Sequence, residues 1–130
     1  MAESAESPEA TDVGRLVRRH DHDRFLTALF APAGSRAALL ALYAFNYEVA
    51  KTREVVTEPA LGRIRLQWWR DSLDTIYAGG LPRLHEVATP LATAIRRRSL
   101  ARAHFDALIE AREADLTDVA PASLAALEAY

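Results

Sequence analysis

His20-Asp21-His22-Asp23 is the first stretch whose residue types could do chemistry, because imidazoles and carboxylates together suggest a metal site. On one helix, however, residues two apart face away from each other, so His20 and His22 would not share a metal. The run reads as a helix start, with Asp21 as the N-cap and Asp23 complementing the helix dipole. Asp71/Asp74, Glu110/Glu113 and Asp115/Asp118 are carboxylate pairs at helical spacing. Such pairs can hold magnesium together with substrate phosphates. Arg70 and Asp74 also stand i,i+4, so a solvated, ion-paired face is the plainer expectation. Glu54 and Glu58 form a fourth pair. Ser35, Ser72, Ser99 and Ser123 lack a Gly-x-Ser-x-Gly setting, and no Gly-rich phosphate loop occurs. Tyr43, Phe45, Tyr47, Trp68 and Trp69 could line a lipid pocket between helices, although core packing is their more ordinary use.

The elements that must position these residues are helices. From about Asp21 onward, apolar residues recur at spacings of three and four. A short helix is expected near Asp21–Phe30, broken by Pro32 and Gly34. Ser35 is the expected N-cap of a long helix reaching about Val56, which carries Leu39, Leu42, Tyr43, Asn46, Val49, Ala50 and Arg53 on recurring positions. A third helix spans about Ala60–Tyr77, with Leu66, Trp69, Leu73 and Ile76 as its stripe and Gly79-Gly80 as its stop. Val87, Leu91 and Ile95 predict a fourth ending near Arg98. Pro90 inside it requires a late start or a kink. A fifth runs near Leu100–Leu116, and Pro121 or Ser123 opens a sixth that reaches Tyr130. Leu42, Phe45, Leu66, Trp69, Phe105 and Leu108 are the expected core. No apolar/polar alternation persists as in a strand, so the fold class is all-α.

Composition narrows the function classes. The chain has 130 residues, half of them hydrophobic, and a formal net charge of −2, which suits one globular domain. Residues 1–12 are small, acidic and polar and read as a disordered tail, leaving 13–130 as the helical domain. Arg96, Arg97 and Arg98 form the only basic triplet, too little for a nucleic-acid footprint. With no cysteine, disulfides and thiolate metal sites are excluded. No apolar run approaches the roughly 18 residues of a membrane span. The opening MAESAESPEATD has the apolar core of no secretory signal and the arginines of no transit peptide. A cytoplasmic location is expected, extended to the periphery of a membrane.

Five stretches carry more specific information. FLTALFAPAGSR (25–36) runs into ALLALYAFN (38–46), followed by IRLQWWRDS (64–72); ALIEAREADL (107–116) and LAALEAY (124–130) come later. In this order and spacing they resemble the squalene/phytoene synthase family, the head-to-head prenyl transferases, over about Arg19 to Tyr130. The resemblance implies the N-terminal half of an all-helical terpenoid-synthase-like fold of about six helices, incomplete at its C-terminus.

Active members of that family follow LYAF with a Cys-Arg pair and a D-D-x-x-D group, whose aspartates bind magnesium against the diphosphate leaving group. The corresponding positions here are Asn46-Tyr47 and then Ala50, Lys51 and Glu54. Alanine cannot ligate a metal, lysine brings positive charge, and only Glu54 keeps a carboxylate. Asn46, Glu48, Arg53, Glu58, Arg65 and Gln67 fit a non-catalytic branch that includes a mitochondrial assembly factor for respiratory complex I. The resemblance therefore implies no catalytic residue and no metal ligand, with Ala50, Lys51 and Glu54 as a degenerate first motif. Tyr43, Asn46, Tyr47 and Arg53 are the candidate lining of an old prenyl pocket.

Two functions follow as expectations. One is a lipid- or protein-binding scaffold without cofactor; the other is part of an active farnesyl or geranylgeranyl transferase of terpenoid biosynthesis, which would require magnesium. The expected partners are a prenyl diphosphate or lipid, and a protein or second copy of the chain bound through uncovered helix faces. Nucleic acid and a transmembrane span are not expected.

Overall fold

The computed structural model describes residues 11–52 and 58–116. Among these, every regular element is a helix: α1 (Asp12–His20), α2 (His22–Leu29), α3 (Ala33–Ala50), α4 (Pro59–Tyr77), α5 (Ala88–Arg98) and α6 (Arg102–Asp115). The all-α class follows from the helical periodicity. The expected helix from Pro121 or Ser123 to Tyr130 lies outside the described residues.

α1 precedes the point where periodicity becomes visible. Thr11 caps it, its hydroxyl accepting from the Gly14 N–H at 3.0 Å, and Val13 and Val17 are buried one turn apart. That stripe is a single turn long and lies among Arg15, Arg18 and Arg19, too short for a pattern to stand out. Asp21 then caps α2, accepting from the Arg24 N–H at 3.4 Å.

The start and end of α3 differ from expectation. Pro32, with φ −52° and ψ 142°, holds the cap position, and Ser35 falls inside the first turn. Proline's fixed φ suits a helix entrance, and no side chain caps this one. The Ser35 hydroxyl instead accepts from Arg98 at 3.1 Å. α3 closes at Ala50, with Lys51 at its C-cap, short of the expected Val56; residues 53–57 are not among those described.

α4 begins with Pro59 in its first turn, where the missing N–H costs nothing, and Gly79 leaves it with φ +89°, a conformation that favours glycine. Its Tyr77 hydroxyl donates to the Leu100 carbonyl at 2.6 Å, and burial is the main cause that pushes this phenol above its usual range. α5 starts late, at Ala88, which leaves Pro90 in the first turn without a kink. Ser99 ends α5 in the left-handed region, φ 50°.

α3 lies at the centre, packed against α1, α2, α5 and α6, while α4 packs on α6. Phe45, fully buried on α3, meets Trp69 edge-on at 5.2 Å between centroids and Phe105 at 5.3 Å. Edge-to-face aromatics of this kind add specific geometry to the burial of large apolar surface. Leu66 is buried as well, and Leu42 is half-buried against the same cluster. Leu108 is a correction: it is 37% exposed. α6 buries Phe105 and Ile109, one full turn apart, and this narrow stripe turns Leu108 outward.

Candidate functional site

The last two turns of α3 and the middle of α4 form the site. Glu48 sits on the α3 stripe that also carries Ala41, Ala44 and Phe45, so packing that buries the stripe draws its carboxylate inside; it is 5% exposed. A buried carboxylate must be paired. Lys51, one turn on, donates to Glu48 Oε1 at 3.1 Å, and Arg65 from α4 donates to Oε2 at 3.4 Å. One carboxylate between two cations leaves the cluster with a surplus positive charge. The Lys51 ammonium also lies 5.0 Å from the centroid of Tyr47, a cation–π distance.

An open cleft of about 200 Å³ borders this cluster, lined by Glu48, Arg65, Trp68, Trp69 and His85. Trp68 and Trp69 meet edge-on at 4.9 Å, and the His85 ring lies 5.0 Å from Trp68 and 5.5 Å from Trp69. His85 Nδ1 accepts from the backbone N–H groups of Val87 at 3.0 Å and Ala88 at 3.2 Å. The imidazole thus caps the start of α5, as an N-cap oxygen would, and the neutral ring carries its proton on Nε2. Arg65 Nε is buried in this cleft wall without a hydrogen-bond partner, a costly arrangement for a charged donor.

The residues singled out from sequence are distributed as follows. Tyr43 and Tyr47 are one turn apart on α3 and half-buried. Tyr43 lies under the Arg24 guanidinium at 5.8 Å, and Tyr47 stacks on His20 at 4.5 Å, so both face α1 and α2. Asn46 is half-buried on the same helix, and Ala50 closes it. Arg53 and Glu54 lie outside the described residues. The cleft is therefore walled by a different set from Tyr43, Asn46 and Tyr47. Glu48 and Arg65 entered the sequence reading only through family resemblance, and His85 and the pairing of Trp68 with it were missed. The spacing of Glu48 and Lys51, i and i+3 among apolar neighbours, was the available signal.

Four of the helix-spaced carboxylates, Asp71, Asp74, Glu113 and Asp115, are engaged by neighbouring side chains. Arg70 pairs with Glu113, and Asp74 with Arg102, so the expected Arg70–Asp74 pair gives way to two bridges from α4 to α6. Tertiary packing brings a better partner to each charge than its own helix does. Asp71 accepts from Gln67 at 2.8 Å and Asp115 from Arg112 at 3.3 Å; Asp118 is outside the described residues. Among the described residues, no three His, Asp or Glu side chains gather as a metal cluster.

The magnesium of the family's enzymes can be tested against the donors present. Ala50 has no donor atom, and Lys51 presents an ammonium already engaged by Glu48. These two positions do not fit a divalent cation. The arrangement ties α3 to α4 and offers an aromatic cleft with positive charge at one side.

The curated relatives include proteins named "NADH dehydrogenase (ubiquinone) complex I, assembly factor 6". The protein of Bos taurus is 36% identical over 115 residues, covering 88% of this chain and 34% of its own. That of Homo sapiens is 34% identical over the same shares. A homolog so named in Drosophila melanogaster is 31% identical over 103 residues, 75% of this chain and 31% of its own. The chain thus spans about a third of the length of the curated relatives it matches. No solved structure matches. The family model described as squalene/phytoene synthase matches residues 17–130, nearly the whole chain, and the chain belongs to that family.

Proposed function

We propose that this chain is part of a non-catalytic helical scaffold that binds protein partners, an assembly factor for respiratory complex I in the sense of its relatives' names. The observation that carries the proposal is the Lys51–Glu48 pair at 3.1 Å. At the second aspartate position of the prenyl transferases stands a lysine, and its charge is used to hold a buried carboxylate. Ala50 beside it removes another ligand. The relatives at 31–36% identity carry assembly-factor names, which supports the same reading. A cofactor-free protein located in the cytoplasm, in contact with a membrane periphery, fits this role. No helix among the described residues is long and apolar enough to cross a membrane. A prenyl diphosphate or other lipid in the old pocket, and association through exposed Leu61 and Ile64 on α4, extend the proposal.

Deletion of the gene in its host tests it. The expected result is loss of assembled complex I on native gels, restored by the parent gene. Purified protein should show no turnover of farnesyl or geranylgeranyl diphosphate with magnesium. Normal complex I in the deletion strain, or prenyl transfer by the protein, overturns the reading in favour of the enzyme.

A further inference from the structure

The open cleft of about 200 Å³ brings Glu48, Arg65, Trp68, Trp69 and His85 to one place, and the polar groups left to a ligand there are of one kind. Lys51 and Arg65 each engage one oxygen of the Glu48 carboxylate, which is buried. The Arg65 side chain is 38% exposed. It gives Glu48 a long hydrogen bond of 3.4 Å, and its Nε has no partner among the described residues. A guanidinium has donors and no acceptor, and the same holds for an indole. His85 Nδ1 is occupied by the N–H groups of Val87 and Ala88, so the ring offers a ligand only its Nε2–H. The cleft therefore has donors to give, and its carboxylate is already shared by two cations. Trp68 is half-buried and stands edge-on to Trp69, with 86° between the ring planes. It supplies a flat apolar wall beside the donors.

We propose that this cleft binds a small aromatic carboxylate, its ring stacked on Trp68 and its oxygens accepting from Arg65 and from the His85 Nε2–H. Size sets the first limit. Pockets for drug-sized ligands run from about 300 to 1,000 Å³, so a single ring with one short acidic group suits this cleft, and a long prenyl chain does not. Charge sets the second. Lys51, Arg65 and Glu48 together leave one positive charge, which a monoanion neutralises. A phosphate or diphosphate would bring further negative charge toward the buried Glu48 carboxylate, where like charges repel. Shape sets the third. An aromatic ring gains an offset-stacked contact on an indole that an alkyl carboxylate cannot make, and charge-assisted bonds to the guanidinium fix its orientation. This inference goes beyond the assembly-factor reading and does not rest on it.

Trp68 and Trp69 are the only tryptophans of the chain and both line the cleft, so the indole N–H resonances report on it directly. Titration of the isotope-labelled chain with benzoate tests the proposal. The Trp68 resonance should shift saturably, with half-saturation at about 1 mM or below. Acetate has the charge without the ring, and benzylammonium has the ring with the opposite charge. Each should bind about tenfold more weakly or worse. Inorganic phosphate and diphosphate at the same concentration should leave benzoate in place. Arg65→Gln should weaken benzoate about tenfold or more and Trp68→Leu about threefold or more. Arg96→Gln, exposed at the end of α5, should bind like the parent. The Trp69 resonance, set by packing on Phe45, shows whether each variant is folded, and the comparison among ligands needs no variant. Absence of a saturable shift, equal shifts with acetate or benzylammonium, displacement by diphosphate, or parental affinity in folded Arg65→Gln would overturn the proposal.

Discussion

Glu48 and Arg65, seventeen residues apart in the chain, join α3 to α4 across 3.4 Å, with Lys51 on the other oxygen of the same carboxylate. Glu48→Gln keeps the shape and removes the charge that two cations share. We expect a loss of about 2 kcal/mol, below the 3–5 kcal/mol of a fully buried pair because Arg65 and Lys51 retain access to water. Urea unfolding of Glu48→Gln, Arg65→Gln and the double variant should give a coupling of at least about 0.5 kcal/mol. Strict additivity would mean that the pair does not hold the two helices together.

The variant Ala50→Asp/Lys51→Asp places two carboxylates at the end of α3. It also removes a cation from Glu48 and brings like charge beside it, so it should melt below the parent in metal-free buffer. Magnesium and farnesyl diphosphate added together should raise its melting temperature again, by mass action on the folded state. Turnover should remain absent. A melting temperature indifferent to both ligands would show that this end of α3 does not face a diphosphate cavity.

Trp69 is 2% exposed and touches Phe45, whereas its neighbour Trp68 is half-buried at the cleft. Trp69→Ala should cost about 3–5 kcal/mol through lost burial and the cavity left behind. Trp68→Ala should cost less. Comparable losses, measured by chemical denaturation, would place the two indoles in equivalent surroundings.

Ser99 occupies the left-handed region at the C-cap of α5, φ 50°. Glycine is the residue with no Cβ penalty there. Ser99→Gly should therefore stabilise the chain, by up to about 1 kcal/mol, after the added entropy of the unfolded glycine is subtracted. A lowered melting temperature would show that the serine side chain contributes more than its backbone conformation costs.

Helix type was legible in the sequence wherever a stripe ran for several turns. Leu66, Trp69, Leu73 and Ile76 predict α4 and are all buried in it. Asp21 was identified as a cap because a short acceptor before an apolar run has few other uses. α1 escaped notice because one buried turn, Val13 to Val17, is no longer than chance alternation. The cap at Ser35 failed for a related reason: Pro32 supplies the entrance geometry from the backbone, and a hydroxyl nearby proves nothing about where the helix starts.

The sequence alone determined the all-α class and the family, since these rest on residue identity and on periodicity within one segment. Only the tertiary structure decided how the charges are spent. Glu48 finds Arg65, Arg70 finds Glu113 and Asp74 finds Arg102, each on another helix. It also decided that His85 caps α5 beside two tryptophans. The physical reason is the reach of each interaction. Periodicity and capping act over one or two turns of chain, whereas a charge or a ring pairs with whatever packing brings within a few ångströms, and sequence distance carries no record of that.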